Sequence, residues 1–225
     1  MSGHDLLIKF GSERDMSRLF NHGEVFMNTL AYHRGNESDI ERHDPNEGLE
    51  RIMQIRGATL YKKNRVSGEN QKVALITSGI GRIKNSNLDK LNVFCMFRCA
   101  IPLNEEVALS KVVNERVMNG FGDTAVIIAD AAEFVTRVKN EALQRGLFHS
   151  RKLVDYVNLK QWDNEVGPFV KGEEFSHQQE LRIAIFDKKA KTGPLCLSIG
   201  SISDIAFLVP VKDLLEYSVK SCTAT

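Results

Sequence analysis

The sequence predicts an α+β domain built mainly on an antiparallel sheet. Short runs of β-branched and aromatic residues outnumber the segments with helical spacing, which is typical of this fold class. The chain has 225 residues, of which 42% are hydrophobic and 26% charged, an ordinary composition for a globular protein. We find no internal repeat, low-complexity tract or linker, so residues 1–225 are expected to form a single domain.

The pattern of apolar residues and turn signals places the elements along the chain. Helices are predicted from Ser12 to about residue 20 and from Asp130 to about Gln144, where Ser12 and Asp130 are N-cap residues and Gly146 is a stop signal. The segments 33–48 and 158–174 are polar and are expected to be irregular. The glycines at 79 and 81 predict a turn. The segment 210–217 is predicted to be a helical tail. Strands are predicted over 6–10, 24–29, 51–60, 73–77, 92–99, 123–129, 154–157, 178–186, 195–199 and 205–209.

Several classes of protein are not expected from this sequence. The longest apolar runs are far shorter than the roughly 18 residues that a membrane-spanning helix needs, and the polar start of the chain does not resemble a secretory signal. The four cysteines lack the spacing of metal ligands, so they are expected to be buried or idle thiols in a reducing cytoplasm, with neither a metal site nor disulfides: Cys95, Cys99, Cys196 and Cys222.

Charge is unevenly distributed, although the formal net charge is only +1. Residues 1–50 hold ten acidic and five basic side chains, whereas residues 51–90 hold nine basic and two acidic ones. Such a basic block can attract phosphates, either of a dinucleotide or of a nucleic acid. It can equally be a solvated edge that protects strands from aggregation, and the sequence leaves both interpretations open.

The segment 175–185 contains the candidate catalytic group. Because side chains alternate along a strand, Gln178, Glu180 and Arg182 are expected on one face, opposite an apolar face. A neighbouring amide and carboxylate can bind ribose hydroxyls, and the carboxylate can stabilise an oxocarbenium-like transition state. The alternative is that this face is simply the solvated side of a half-buried sheet.

Two further segments accompany this strand in a characteristic order. The first is Lys9 and Phe10 at the end of the first strand, and the second follows the second strand and includes the Asp-Pro-x-Glu-Gly sequence at 44–48. The chain therefore resembles the ADP-ribosyltransferase superfamily. It is more similar to a family of uncharacterised bacterial and phage proteins that share the Asp-Pro-x-Glu-Gly sequence and a late aromatic-x-x-Gln-x-Glu-x-Arg sequence, here residues 175–182.

This resemblance implies a split, mainly antiparallel sheet with flanking helices around a cleft for NAD, the co-substrate. Glu180 would be the catalytic residue, and Gln178 would orient the ribose or the nucleophile. Lys9 stands where the superfamily usually has Arg or His, and Asn28-Thr29 is the nearest match to its Ser-Thr-Ser pattern. The implied cofactor-binding residues are Lys9, Phe10, Asn28, Thr29, Tyr32, Arg34 and Arg182.

Individual roles follow from side-chain chemistry, and each has a simpler alternative. Lys9 would contact a phosphate or the adenosine ribose, or be an exposed strand residue. Tyr32 would stack on nicotinamide, or pack in the core. Arg34 would bind the pyrophosphate, or be an unspecific loop charge. Arg182 would keep Glu180 ionised, because a nearby cation lowers the pKa of a carboxylate.

Asp44 and Glu47 are expected to support the cleft as partners of Arg182 or Arg34. A base that activates the acceptor and a simple capping role are the two alternatives for these carboxylates.

The predicted function is mono-ADP-ribosylation of a macromolecule, either a protein or a nucleic acid such as RNA. The bacterial and phage relatives indicate a toxin or an anti-phage effector, with an antitoxin as a possible regulatory partner and no membrane partner. Two alternatives stay open: a non-catalytic nucleic-acid- or protein-binding module on the same fold, and an NAD glycohydrolase.

Overall fold

The computed structural model describes residues 4–36, 41, 43–187 and 193–220. Its helices are α1 Glu13–His22, α2 Leu30–Gly35, α3 Ser86–Asp89, α4 Leu109–Val112, α5 Glu115–Gly120 and α6 Ala131–Gln144, with 3-10 turns at Gly167–Phe169, Glu173–Gln178 and Val211–Glu216. Its strands are β1 His4–Gly11, β2 Glu24–Thr29, β3 Leu49–Lys63, β4 Asn70–Lys84, β5 Asn92–Ile101, β6 Glu106–Ala108, β7 Thr124–Ile128, β8 Phe148–Leu153, β9 Asp155–Val157, β10 Val170–Gly172, β11 Glu180–Phe186, β12 Leu195–Ser198, β13 Ala206–Pro210 and β14 Ser218–Lys220.

The main sheet has eight strands, and all of its pairings are antiparallel. The prediction of an α+β fold with a mainly antiparallel sheet is confirmed. The helices predicted after Ser12 and Asp130 form as α1 and α6, and each capping side chain accepts a hydrogen bond from the backbone N–H three residues later. In the described part of the chain, no helix combines the length and apolarity needed to cross a membrane.

The main sheet divides at β5. One edge of β5 pairs with β11 from Asn92 to Phe97. The opposite edge pairs with β2 at Asn92 and Val93 and with β1 from Phe97 to Ile101. The three residues between these pairings, 94–96, therefore lie where β1 and β2 separate. Lys9 reaches into this gap, where its Nζ donates to the Cys95 carbonyl oxygen at 2.8 Å.

Two apolar clusters cover the two faces of the sheet. One includes Phe94 of β5 and the buried face of α6, with Phe134 and Val138. The other includes Ile8 of β1, Phe97 of β5 and buried residues of α4 and α5. Together these clusters fix the positions of β1, β5 and β11, which carry the site residues described below.

A long hairpin of β3 and β4 forms a separate two-stranded sheet. The strands predicted at 51–60 and 73–77 are thus much longer in the structure. The turn predicted at residues 79–82 is wrong, because this segment lies inside β4. A Cβ added at Gly79 or Gly81 would make only ordinary van der Waals contacts, so packing does not require glycine at either position.

The expectation that 158–174 is irregular is wrong in one short stretch. Val170–Gly172 forms β10, which pairs in parallel with β9. The strand β8, which the sequence did not predict, supplies the second partner of β11.

Candidate functional site

A cavity of about 680 Å³ opens beside the division of the sheet. Its volume lies within the range of typical small-molecule sites, roughly 300–1,000 Å³. All three sequence segments singled out above reach it, although they are far apart in the chain. The predicted site residues that line it are Lys9, Phe10, Asn28, Tyr32, Glu47, Gln178, Glu180 and Arg182.

The other three predicted residues are absent from the cavity lining. Thr29 caps α2, since its hydroxyl accepts from the Tyr32 backbone N–H at 3.2 Å. Arg34 forms an ion pair with Asp89 at 2.5 Å and donates to the Glu47 carbonyl oxygen at 2.8 Å. The predicted contacts of Thr29 and Arg34 with a cofactor therefore have no support in this geometry.

Asp44 has the capping role that was one of its alternatives. Its Oδ1 accepts from the Asn46 backbone N–H at 2.8 Å, while Oδ2 is buried without a partner among the described residues. Burial, with a contribution from Glu47, raises the pKa of Asp44 to about 6. The expected pairing with Arg182 is made by Glu47 alone.

The strand alternation that predicted the Gln178 and Glu180 pair is wrong in detail. Gln178 ends a 3-10 turn, Gln179 takes a left-handed conformation with φ of 40°, and β11 begins only at Glu180. The two side chains nevertheless meet, because both accept from Lys171 Nζ at 2.7 Å. The Gln178 amide also donates to the Glu41 carbonyl oxygen at 2.6 Å.

Arg182 is fully engaged at the floor of the cavity. Its Nη1 and Nη2 contact the two Glu47 oxygens at 2.7 and 3.3 Å, and its Nε and Nη2 contact Glu180 Oε2 at 3.2 and 2.9 Å. Nη1 also donates to the Pro168 carbonyl oxygen at 2.5 Å. All five guanidinium hydrogens thus have an acceptor, which fixes the orientation of both carboxylates.

Lys171 is the second cation of this cluster, and sequence reasoning missed it. Its ammonium group is 2.7 Å from Glu180 Oε1, 3.8 Å from Glu47 Oε2 and 5.0 Å from the centre of the Phe175 ring. Only 4% of its side chain is exposed. The cluster of Glu47, Lys171, Glu180 and Arg182 therefore holds two positive and two negative charges away from water, which we call the buried ion cluster.

Electrostatics keep every member of the buried ion cluster charged. Burial alone would raise the pKa values of both carboxyls, but Lys171 and Arg182 hold the pKa of Glu180 far below its usual range and lower that of Glu47. The two glutamates in turn raise the pKa of Lys171. Glu180 is thus an ionised, oriented carboxylate, and Lys171 is a protonated ammonium group rather than a nucleophile.

Three neighbouring titratable groups are held in their neutral forms. Burial raises the pKa of the Cys95 thiol, which hydrogen-bonds to Glu180, to about 11. Burial also lowers the pKa of His33, in the cavity wall, to about 4. The Tyr156 hydroxyl accepts from the Glu180 backbone N–H at 2.9 Å, and burial raises its pKa.

The cavity lining also includes an aromatic ring and a further cation, Tyr32 and Lys9. Tyr32 is half exposed and meets the His33 ring edge-on. Lys9 Nζ lies 4.6 Å from the centre of the Phe94 ring. Both side chains line the cavity, as predicted, and neither the stacking role of Tyr32 nor the phosphate contact of Lys9 is tested by these contacts.

Comparison with protein-family models, with curated proteins and with solved structures gives no match. Among the described residues, no group of three or more His, Cys, Asp or Glu side chains is placed to hold a metal ion.

Proposed function

We propose that the chain transfers ADP-ribose from NAD to a macromolecule with release of nicotinamide. The single observation that supports this most strongly is the placement of the ionised Glu180 carboxylate in the wall of a cavity of about 680 Å³ beside a divided antiparallel sheet. The resemblance noted in the sequence implies this arrangement for an ADP-ribosyltransferase.

In the proposed reaction, the bond between the ribose C1′ and the nicotinamide nitrogen breaks, and nicotinamide leaves with the electron pair. Positive charge then develops on the ribose ring, and a fixed carboxylate nearby stabilises it. The acceptor's nucleophile forms the new bond to C1′ and loses its proton to solvent or to a base. Glu180 supplies the carboxylate, and its orientation is fixed before the substrate binds.

The buried ion cluster assigns different tasks to the two Glu180 oxygens. Oε2 accepts two hydrogen bonds from Arg182 and is the anchored oxygen. Oε1 accepts from Lys171, whose ammonium group also contacts Gln178. In our proposal, a ribose hydroxyl binds at Oε1 and shares this acceptor with Lys171, and Gln178 orients the same sugar.

The test is release of nicotinamide from NAD and transfer of labelled ADP-ribose to components of a cell extract. We expect Glu180→Gln to lower both rates by about 100-fold or more, since the amide keeps the shape and loses the charge. The matched control is Glu105→Gln, which removes an exposed carboxylate. Thermal melting of each variant separates lost chemistry from lost folding.

Three outcomes decide the proposal. The proposal is supported if Glu180→Gln loses both activities and Glu105→Gln keeps them. Free ADP-ribose without labelled macromolecules assigns water as the acceptor and makes the chain an NAD glycohydrolase. The proposal is wrong if the wild-type chain releases no nicotinamide, or if folded Glu180→Gln is as active as the control.

A further inference from the structure

The hairpin of β3 and β4 is the largest feature that the proposed reaction does not explain. Each strand has 15 residues, so at about 3.3 Å per residue the ribbon is roughly 50 Å long. Most side chains on both of its faces are exposed. An isolated two-stranded ribbon is at best marginally stable in water, so stability of the fold does not explain its length.

Among the residues that the structure describes, the hairpin is anchored to the rest of the chain at its base. Ile52 packs with Leu49 and Val166 in a small apolar cluster, and the Gln54 amide donates to the carbonyl oxygens of Lys160 and Trp162 at 3.0 and 2.8 Å. Between residues 55 and 81, the hydrogen bonds seen within the described chain run inside the hairpin itself. The distal two thirds of the ribbon are therefore available to a partner.

The hairpin is strongly basic, with eight Lys or Arg and two acidic residues over 49–84. Four of these cations lie at its distal end, all exposed and without an ion pair to any residue that the structure describes: Lys62, Lys63, Arg65 and Lys72. Over residues 55–81 the sequence has five basic side chains and one acidic side chain, Glu69. The distal cations thus favour a polyanion as the partner.

We propose that the β3–β4 hairpin binds duplex DNA by lying in the major groove. A two-stranded ribbon fits this groove, which is about 12 Å wide in B-form DNA, whereas the major groove of A-form RNA is too narrow to admit side chains. Single-stranded nucleic acid is disfavoured because such surfaces stack successive bases on several aromatic rings, and Tyr61 is the single aromatic residue of the hairpin.

The side chains of the ribbon suit contacts both with the DNA phosphates and with the base edges. The four distal cations would contact phosphates on either side of the groove, which gives affinity without sequence selection. Next to these cations on the side of the hairpin base, Tyr61 and Leu75 are each more than half exposed, and the strand register places them on one face of the ribbon. They would present apolar surface toward base edges, including thymine methyl groups. This inference concerns binding alone and holds whether or not the chain turns over NAD.

The experiment measures binding of the full chain to a fluorescent 20-base-pair duplex by anisotropy, without NAD, over a series of salt concentrations. The hairpin variant carries Lys62→Gln, Lys63→Gln, Arg65→Gln and Lys72→Gln. The control variant has the same loss of charge at exposed lysines elsewhere: Lys111→Gln, Lys139→Gln, Lys212→Gln and Lys220→Gln. Circular dichroism confirms that both variants are folded.

We expect the hairpin variant to bind at least about tenfold more weakly at low salt. The magnitude of its slope of log affinity against log salt should fall by about 3.6, as loss of four phosphate contacts at about 0.9 each requires. The control variant should lose much less affinity, and its salt slope should change much less. Duplex RNA and single strands of the same sequence should bind more weakly than duplex DNA. The inference is overturned if wild type does not bind the duplex, if RNA binds as tightly, or if both variants lose affinity equally.

Discussion

At the scale of single residues, the molecule depends on a cation that keeps two carboxylates ionised inside the fold. Lys171 and Glu180 are both nearly inaccessible, and removing one partner of a buried ion pair leaves the other charge without compensation. We expect Lys171→Met to lower the free energy of unfolding by about 3 kcal/mol or more. Chemical denaturation measures this change.

Lys152→Met provides the comparison for that substitution. Lys152 forms an ion pair of 2.5 Å with Asp155, but more than half of each side chain is exposed. Exposed pairs contribute at most about 1 kcal/mol, so this variant should be close to wild type. Equal losses in the two variants would show that the buried ion cluster does not contribute to stability in the way described.

The sequence predicted three members of the buried ion cluster, but the strand alternation from Gln178 to Arg182 behind that prediction is partly wrong. Glu180 and Arg182 do share a face of β11, and Glu47 is the predicted partner of Arg182. Gln178 reaches the site through a 3-10 turn instead. Lys171 carries no comparable signal, because it stands in a three-residue strand with no periodicity, in a segment that is polar by composition.

At the scale of secondary-structure elements, the caps and stops were the most reliable signals. Ser12 and Asp130 begin α1 and α6 as predicted, and left-handed glycines follow the ends of both helices. In contrast, β8 escaped prediction because it pairs on one side only and is largely exposed, so its sequence has no apolar alternation. Its existence depends on the free edge of β11, which local sequence does not encode.

The two helix-stop glycines should respond very differently to alanine. Gly23 and Gly146 both have φ near +65°, which costs a non-glycine residue about 1–2 kcal/mol. At Gly146 an added Cβ meets open space, whereas at Gly23 it would overlap the backbone carbonyl of Gly200. We expect Gly146→Ala to lower the free energy of unfolding by roughly the amount of that strain. Gly23→Ala should lower it by clearly more.

Denaturant midpoints of the two alanine variants measure this difference. A larger loss at Gly23 would confirm that the end of α1 is packed against the loop after β12, next to the start of β2. A Gly23→Ala variant as stable as Gly146→Ala would contradict that packing.

At the scale of the whole molecule, two distant parts of the sequence come together in one electrostatic unit around the cavity. Local patterns in the sequence predicted the sheet class. The convergence of the three segments was implied by the superfamily that their order along the chain resembles. It did not predict how deeply the charges are buried. Burial depends on packing of the complete fold, and it shifts the pKa values of His33 and Asp44 in opposite directions.

These two groups should have opposing effects on stability over the same pH range. Asp44 binds a proton more tightly in the folded state, with a pKa of about 6 against 3.8, so its contribution to stability falls as pH rises from about 4 to 6. His33 binds a proton less tightly, with a pKa of about 4 against 6.5, so its contribution rises over about pH 4 to 6.5. Each shift corresponds to about 3 kcal/mol, so the two contributions largely cancel.

Substitution of either group should reveal the effect of the other. In Asp44→Asn, the free energy of unfolding relative to wild type is expected to increase by about 3 kcal/mol between pH 4 and pH 7, because the cost of ionising Asp44 is removed. In His33→Gln, the free energy of unfolding relative to wild type should decrease by a similar amount between pH 4 and pH 7. Denaturant unfolding at half-unit steps of pH measures both, and parallel pH profiles for the three proteins would show that neither side chain is buried as the structure places it.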